Sequence, residues 1–310
     1  MSQIKRILIT GASGFIGQAC LNDLKLSKFE IHAITRQHSN KEDNAIHWHE
    51  FDLLDNFNSI GGLLSEIRPT HLLHLAWDTT PASYLHSKLN LDWLSVSSKL
   101  LQSFISFGGK RVVFCGTCAE YDWRYGLCQE DVTPTMSGTL YSASKVALHT
   151  VFRQMCKDSG ISNAWIHPFY LFGPNEDKDR FVPKTILALL DKQKVTISNS
   201  HVVRDYIYIE DAAKAINKVL ISEHGGSFNI ARGEALTIKE LVTTIAEECN
   251  ASDLIHFEHS PKEMGEMDIL IASKIKMNNK IGWRPNESLE SAVIKTIDWW
   301  RLKHDLKNKK

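Results

Sequence analysis

The sequence predicts an α/β protein, a doubly wound parallel sheet in the first half followed by a smaller C-terminal α/β substrate lobe. Three observations predict it. The β-branched run Ile7-Leu8-Ile9-Thr10 breaks into a glycine-spaced turn, Gly11 to Gly17, and continues as the helix-like stretch Gln18 to Leu24. Further short apolar runs recur at 29–34, 72–76 and 111–115, with a long amphipathic stretch before the last of them. Tyr141 and Lys145 stand four positions apart at the start of another apolar-periodic segment, which puts both side chains on one face of a helix. Strands alternating with helices of this kind assemble into a parallel sheet.

The first turn carries chemistry as well as fold. In a strand, glycine turn and helix unit the glycines allow a tight turn and a close approach to a pyrophosphate, whose charge meets the N–H groups at the helix start. Gly11, Ser13, Gly14, Phe15, Ile16 and Gly17 are therefore the expected phosphate-side contacts of a Rossmann-type dinucleotide site. The second strand ends at Thr35-Arg36, where an NAD site would carry a carboxylate for the ribose hydroxyls. A guanidinium there pairs with a 2′-phosphate, so Arg36 favours NADP(H) over NAD(H); a solvated turn arginine is the plain alternative. Phe51-Asp52-Leu53 closes a third strand and sets Asp52 and Leu53 beside the adenine. Leu72 to Ala76 reads as a buried fourth strand, and small Ala76 lets the cofactor pass at the carboxyl edge where open α/β sheets bind ligands. The loop Trp77 to Tyr84, with Thr79, suits a substrate pocket, and a long helix from about Leu89 to Phe107 stops at Gly108-Gly109.

The fifth strand, 111–115, runs into Gly116 to Tyr121. Cys115 and Cys118 form a C-x-x-C, but redox pairs of that form open a helix in a thioredoxin-like unit, whereas this one ends a strand. Thr117 is the better chemical candidate, a hydroxyl placed to reach the same reacting oxygen as Tyr141. A lysine beside a tyrosine favours the phenolate, so Lys145 is expected to draw the Tyr141 pKa down from its ordinary value of about 10. Alone, Y-x-x-x-K is as readily a surface tyrosine with a solvated lysine. The pairs His47/His49 and His71/His74 complete no ligand spacing, and no metal is expected.

The bulk properties limit the partners. A chain of 310 residues has room for two lobes. Acidic and basic residues balance at 36 each, which leaves no net field to attract nucleic acid or an anionic membrane, so the expected partner is a small molecule. Six cysteines without framework spacing, an N-terminus without leader character and no apolar run near the roughly 20 residues of a membrane span predict a soluble, cytoplasmic protein.

With Gly11, Gly14, Gly17, Thr117, Tyr141 and Lys145 in hand, the chain resembles the extended short-chain dehydrogenase/reductases, and within them the NAD-dependent epimerase/dehydratase group acting on nucleotide sugars. The resemblance continues through Phe172-Gly173-Pro174, Arg180 to Pro183, Val203 to Ala213, Phe228-Asn229-Ile230 and Ile281 to Pro285. It implies catalysis by Thr117, Tyr141 and Lys145, with Tyr141 and Lys145 also holding the nicotinamide ribose. It implies a cofactor domain over 1–168, its sheet completed from about 203–231, and a lobe over 169–310 that holds a nucleotide-diphosphate sugar. By the same resemblance Arg204 contacts the pyrophosphate, Arg180 and Val182 lie along the nucleotide, and the helices near 90–107 and 141 pair across a homodimer.

Departures from the family pattern narrow the reaction. Dehydratases of this group follow the active-site threonine with Asp and Glu, whereas this chain has Cys118 and Ala119, so dehydration is not expected. Many epimerases carry an Arg and an Asn before the Gly-Pro, where His167 and Tyr170 stand here. Gly116 to Trp123 together with His74 to Trp77 resembles a branch found with bacterial surface-polysaccharide sugars and assigned as keto-sugar reductases. Cys118, Glu120 and Tyr121 are then expected to contact the sugar, with packing as the alternative. The expectation is NADPH-dependent reduction of a nucleotide-linked 4-keto-6-deoxy sugar. A nucleotide-sugar epimerase with tightly bound NAD(P) and a non-catalytic NADP(H)-binding protein are the alternatives.

Overall fold

Seven of the apolar runs pair into one sheet in the computed structural model, which describes residues 5–36, 45–258 and 267–308. In spatial order the strands are Gly226–Ile230, Ser162–Pro168, Arg111–Cys115, His71–His74, Arg6–Thr10, Glu30–Thr35 and Ile46–Glu50. Every neighbouring pair is parallel. The order reverses between Arg6–Thr10 and His71–His74, the switch point at which such sheets open a crevice. Side chains alternate across the strands, so Ile7, Ile9 and Val113 pack under the helices Phe15–Leu24 and Ile209–Ile221, while Leu8, Val112 and Phe114 face the helices Ile60–Ile67, Leu89–Ser106 and Leu140–Ser159. Burial on both faces is why these strands read as continuous apolar runs.

Three strand ends differ from expectation. The second strand is Glu30–Thr35, one residue later than read. The third is Ile46–Glu50, ending before Phe51; the chain then turns because the Asp52 carboxylate accepts the Leu54 N–H at 2.8 Å. The fourth stops at His74 because Leu75 N and Ala76 N reach back to the carbonyl and hydroxyl oxygens of Thr10, at 3.2 and 3.3 Å.

The second half returns to the sheet through the helix Ile209–Ile221 and the edge strand Gly226–Ile230. Asn217 Nδ2 ties that helix to the first one, donating to Cys20 O at 3.0 Å and Asp23 Oδ2 at 2.9 Å. Buried Arg111 donates from Nη2 to Val219 O at 2.7 Å and His224 O at 2.8 Å. The segment at 203 takes no part in the large sheet. Val203–Arg204 joins a second sheet with Leu236–Thr237, Ile269–Ala272 and Leu127–Cys128, the last contributed by the first half. The two halves thus exchange strands. The lobe core gathers Val182, Ile186, Tyr208, Leu241, Ile245 and Trp300. Its helix Ile238–Glu248 starts with the capping box that the Thr237/Glu240 spacing predicts, Glu240 N donating to Thr237 Oγ1 at 3.0 Å. Among the described residues no helix is long and apolar enough to cross a membrane.

A fragment ending at Pro168 would lose the helix Ile209–Ile221 and the strand Gly226–Ile230, baring one sheet edge and the face under Ile7, Ile9 and Val113. We expect that fragment to aggregate or to melt without a cooperative transition by circular dichroism; a sharp transition would show that the first half is self-sufficient.

Candidate active site

The strand Arg6–Thr10 delivers the chain into Gly11 at the switch point. Gly11 has φ +69°, and a Cβ there would sit 2.7 Å from Ala76 N. A Cβ on Gly17 would overlap the Gly11 carbonyl oxygen, so both glycines are demanded by packing of the turn on itself and on the Ala76 loop. Around Gly14 only the Gly11 oxygen is near, 3.2 Å from a built Cβ, and this side is open for a ligand to approach the backbone. Gly14 caps the helix Phe15–Leu24 without a side-chain partner, so the first N–H groups present their partial positive charge outward. A cradle of this shape fits a dinucleotide pyrophosphate.

The remaining cofactor-side residues divide into two kinds. Thr35 Oγ1 lies 3.4 Å from Ser13 Oγ, which sets Ser13 beside the end of the second strand, where Arg36 is exposed. Phe15 and Ile16 turn their side chains into apolar packing, leaving their backbone N–H groups for phosphate. Leu53 likewise packs into the sheet core and not into an adenine pocket, since the chain has already left the strand at Phe51.

Thr117 follows the central strand Arg111–Cys115, and Tyr141 is the second residue of the helix Leu140–Ser159. Thr139 starts that helix by accepting the Ser142 N–H at 3.1 Å, and Tyr141 N donates to Leu85 O at 3.0 Å. The Tyr141 ring meets Tyr84 edge-on at 5.0 Å, and the Thr117 side chain stands near enough to its hydroxyl to favour the phenolate. Lys145, one turn on and buried, donates to Cys115 O at 2.7 Å and lies 3.7 Å above the Trp77 ring. The expected lowering of the Tyr141 pKa is not what the protein alone does. Burial pushes the phenol up and outweighs the opposing influence of the Thr117 side chain, while the ammonium is engaged by the Cys115 carbonyl and the Trp77 face. Burial also brings the Lys145 ammonium down to about 8. The phenol therefore keeps its proton, the form that a proton donor requires.

Glu120 and Tyr121 do not face the cleft. Glu120 is wholly buried and completes a capping box with Thr117, Oε1 accepting the Thr117 N–H at 2.9 Å and Trp165 Nε1–H at 3.1 Å. Its Oε2 meets His149 Nδ1 at 3.2 Å and His167 Nε2 at 3.4 Å. Burial pushes this carboxyl up, but His167 and His149 outweigh it and hold it down at about 2. Tyr121 donates its hydroxyl to Asn229 Oδ1 at 2.8 Å and packs on His167. These side chains brace Thr117 from below, and the signal for it lay in the Thr117/Glu120 spacing, that of a capping box. The ligand atoms of Glu120, His149 and His167 lie within 4.8 Å of one another, a grouping that can also hold a metal ion and that wide sequence separation concealed. His74 instead bonds Thr10 Oγ1 at 2.7 Å and Ser97 Oγ at 2.8 Å, and His71 bonds Thr70 Oγ1 at 2.8 Å. Cys118 is a buried free thiol pushed up to about 12 by burial, and Cys115 is free as well.

On the substrate side the structure brings Thr79 and Arg180 together, Arg180 Nη2 donating to Thr79 O at 2.6 Å with its guanidinium 5.0 Å from the Tyr84 ring. Asn90, which the sequence did not single out, braces this loop by accepting Trp77 Nε1–H at 2.8 Å and donating to Tyr84 O at 2.7 Å. Arg204 donates to Val203 O at 2.9 Å and Met267 O at 3.0 Å and stands beside Tyr170. Its neighbour Asp205 is occupied by the N–H groups of Arg232, Gly233 and Ala272. Held only by neutral oxygens among these contacts, the Arg204 charge suits an anionic ligand. Val182 is buried in the lobe core, so its side chain does not run along a nucleotide.

Comparison with known proteins agrees with this fold. A dTDP-4-dehydro-6-deoxyglucose reductase of Escherichia coli is 26% identical over 317 residues, covering 96% of this chain and 98% of the relative. A UDP-glucose 4-epimerase of Halalkalibacterium halodurans is 25% identical, covering 94% and 95%. Among solved structures, the UDP-N-acetylglucosamine 4-epimerase of Methanobrevibacter ruminantium M1, in complex with UDP-N-acetylmuramic acid, superposes with a TM-score of 0.87 at 22% identity, covering 97% of this chain and 99% of that one. The family model for the NAD dependent epimerase/dehydratase family matches residues 7–231, from the first strand to the last strand of the large sheet, and the chain belongs to that family.

Proposed function

We propose that the protein reduces the ketone of a nucleotide-linked 4-keto-6-deoxy sugar with NADPH, in bacterial surface-polysaccharide biosynthesis. The observation that carries this reading is the Thr117–Tyr141 pair at the carboxyl edge of the central strand, with a phenol that burial keeps protonated. The relative named as a dTDP-4-dehydro-6-deoxyglucose reductase, aligned over nearly its whole length, supports the substrate class. Cys118 and Ala119 occupy the positions after Thr117, and neither supplies the acid that loss of a hydroxyl needs.

In this reading the bound dihydronicotinamide supplies the hydride. Thr117 Oγ and the Tyr141 hydroxyl hydrogen-bond the ketone oxygen as negative charge develops on it, and Tyr141 gives that oxygen its proton. Lys145 stands one helical turn from Tyr141, where its charge stabilises the tyrosinate left behind and its amine can hold the cofactor ribose. The Glu120 carboxylate keeps Thr117 fixed while this happens, because the Thr117 backbone is hydrogen-bonded to it. Arg204 and Arg180 supply the positive charge for the diphosphate and nucleotide. The exposed apolar residues Leu91 and Val151, on the two helices that pack beside each other, suit a homodimer.

The reading is tested by NADPH absorbance with dTDP- and UDP-linked 4-keto-6-deoxyglucose. Consumption of NADPH is expected. Isomerisation of the sugar without NADPH consumption would favour an epimerase, a reading that the similarity to UDP-glucose 4-epimerases keeps in view. Tyr141→Phe should lower kcat by about 10²–10⁴-fold with NADPH affinity nearly unchanged, the usual loss on removing a general acid; an unchanged rate would remove Tyr141 from the mechanism. Arg36→Ala should weaken NADPH by about 10-fold or more and leave NADH almost untouched, as expected for losing one charged hydrogen bond to a 2′-phosphate. Equal effects on the two cofactors would show that Arg36 does not select between them.

A further inference from the structure

Three side chains beneath Thr117 converge on one another. Glu120 Oε2 lies 3.2 Å from His149 Nδ1 and 3.4 Å from His167 Nε2, and the three atoms fall within 4.8 Å of one another. Among the described residues this is the one grouping of three or more His, Cys, Asp or Glu side chains so arranged. Ligands about 2.1 Å from a tetrahedral metal stand about 3.4 Å apart, and both carboxylate-to-imidazole separations match that spacing. The residues come from three places in the fold: the turn after the strand Arg111–Cys115, the helix Leu140–Ser159 and the strand Ser162–Pro168.

Each of the three is oriented from behind. Glu120 Oε1 accepts the Thr117 N–H at 2.9 Å and Trp165 Nε1–H at 3.1 Å. Trp165 also stacks on the His149 ring, the planes 2° apart and the centroids 4.4 Å apart. Tyr121 fixes the proton on His167. Asn229 Nδ2 donates to Cys128 O at 3.0 Å, so its Oδ1 faces Tyr121 and takes the hydroxyl proton at 2.8 Å. The Tyr121 oxygen, 3.2 Å from His167 Nδ1, is left to accept. Neutral His167 therefore carries its proton on Nδ1 and turns the bare lone pair of Nε2 toward the Glu120 carboxylate. Ser227 Oγ, 3.4 Å from His149 Nε2, can accept in the same way and leave His149 Nδ1 bare. Metal-binding imidazoles are held like this, by a bond donated from the second ring nitrogen. A proton added to one imidazole settles one of the two contacts with Oε2, whereas a divalent cation settles both.

We propose that Glu120, His149 and His167 form a divalent transition-metal site, of the class that takes Zn²⁺, which positions Thr117 through the Glu120 carboxylate. Two imidazoles among three ligands favour Zn²⁺ over Mg²⁺ or Ca²⁺, which take oxygen ligands. His149 is the most open of the three, with 13% of its side chain exposed against 0% for Glu120 and 3% for His167. It lines a surface cavity of about 450 Å³ together with Trp165 and Ser227, and this cavity gives the metal its way in. Binding there locks the carboxylate that accepts the Thr117 N–H, so the metal acts on the site by holding a backbone in place.

The test is calorimetry of the full-length protein, treated with a chelator and titrated with Zn²⁺ alone; no nucleotide sugar is needed, so the outcome is independent of the reductase reading. One Zn²⁺ per chain is expected, and Co²⁺ in its place should give the visible absorption of nitrogen- and oxygen-bound Co²⁺. His149→Gln keeps a hydrogen-bond donor for Glu120 but removes the imidazole. It should abolish the Co²⁺ spectrum and weaken Zn²⁺ by about 100-fold or more, beyond the usual cost of losing an outer partner. Tyr121→Phe removes such an outer partner from His167 and should weaken Zn²⁺ by about 10–100-fold. Replacing His47 and His49 by Gln, at the separate histidine grouping around His32, should leave Zn²⁺ binding as in the wild type. Circular dichroism melting checks that each variant folds, and Zn²⁺ should raise the melting temperature of the wild type but not of His149→Gln. No Zn²⁺ uptake by the folded wild type, unchanged affinity in folded His149→Gln or Tyr121→Phe, or loss confined to the His47/His49 variant would each overturn the site.

Discussion

The approach of Gly11 to the Ala76 backbone is the constraint on which the rest of the structure depends. A single methyl group on Gly11 would sit within 3 Å of three backbone atoms of Leu75 and Ala76. That closeness seats the first turn directly on the loop leaving the fourth strand, at the place where strand order reverses. The crevice opens there because chains leaving neighbouring strands diverge to opposite faces of the sheet. Thr117, at the end of the next strand, borders the same crevice, and the helix carrying Tyr141 and Lys145 packs over it. A looser glycine turn would displace the start of the helix Phe15–Leu24 relative to all three residues.

Below Thr117 lies a second layer of polar contacts that the local sequence does not advertise. Glu120 accepts from the Thr117 backbone and from Trp165 while facing two imidazoles, so a fully buried carboxylate is surrounded by donors. A buried charge without such partners would be strongly unfavourable, and with them it gives Thr117 one position. His167, one of the departures from the expected family pattern, serves that carboxylate. Tyr170 stands beside Arg204. His167 and Tyr170 are therefore each coupled to a neighbouring side chain.

Burial governs the electrostatics of Tyr141 and Lys145. The lysine one turn from Tyr141 suggested a phenol easily ionised, but desolvation dominates both groups, raising the phenol and lowering the ammonium. The result suits delivery of a proton to a developing alkoxide. It also shows why proximity on a helix face is an incomplete guide to pKa. The same four-residue spacing would act differently in water, where neither group loses its hydration.

The sequence by itself determined the strand, glycine turn and helix of the first unit, the boundaries of the strand Arg111–Cys115, the helix from Leu89 and the Thr237 capping box. These depend on neighbours within a few positions, where sterics, periodicity and local hydrogen bonding act directly. Tertiary structure alone decided that Leu127–Cys128 crosses to the second sheet, that Glu120 turns toward His149 and His167, and that Leu53 and Val182 enter cores. Each of these outcomes is set by groups far apart in the chain, whose meeting depends on packing of the whole sheet and lobe.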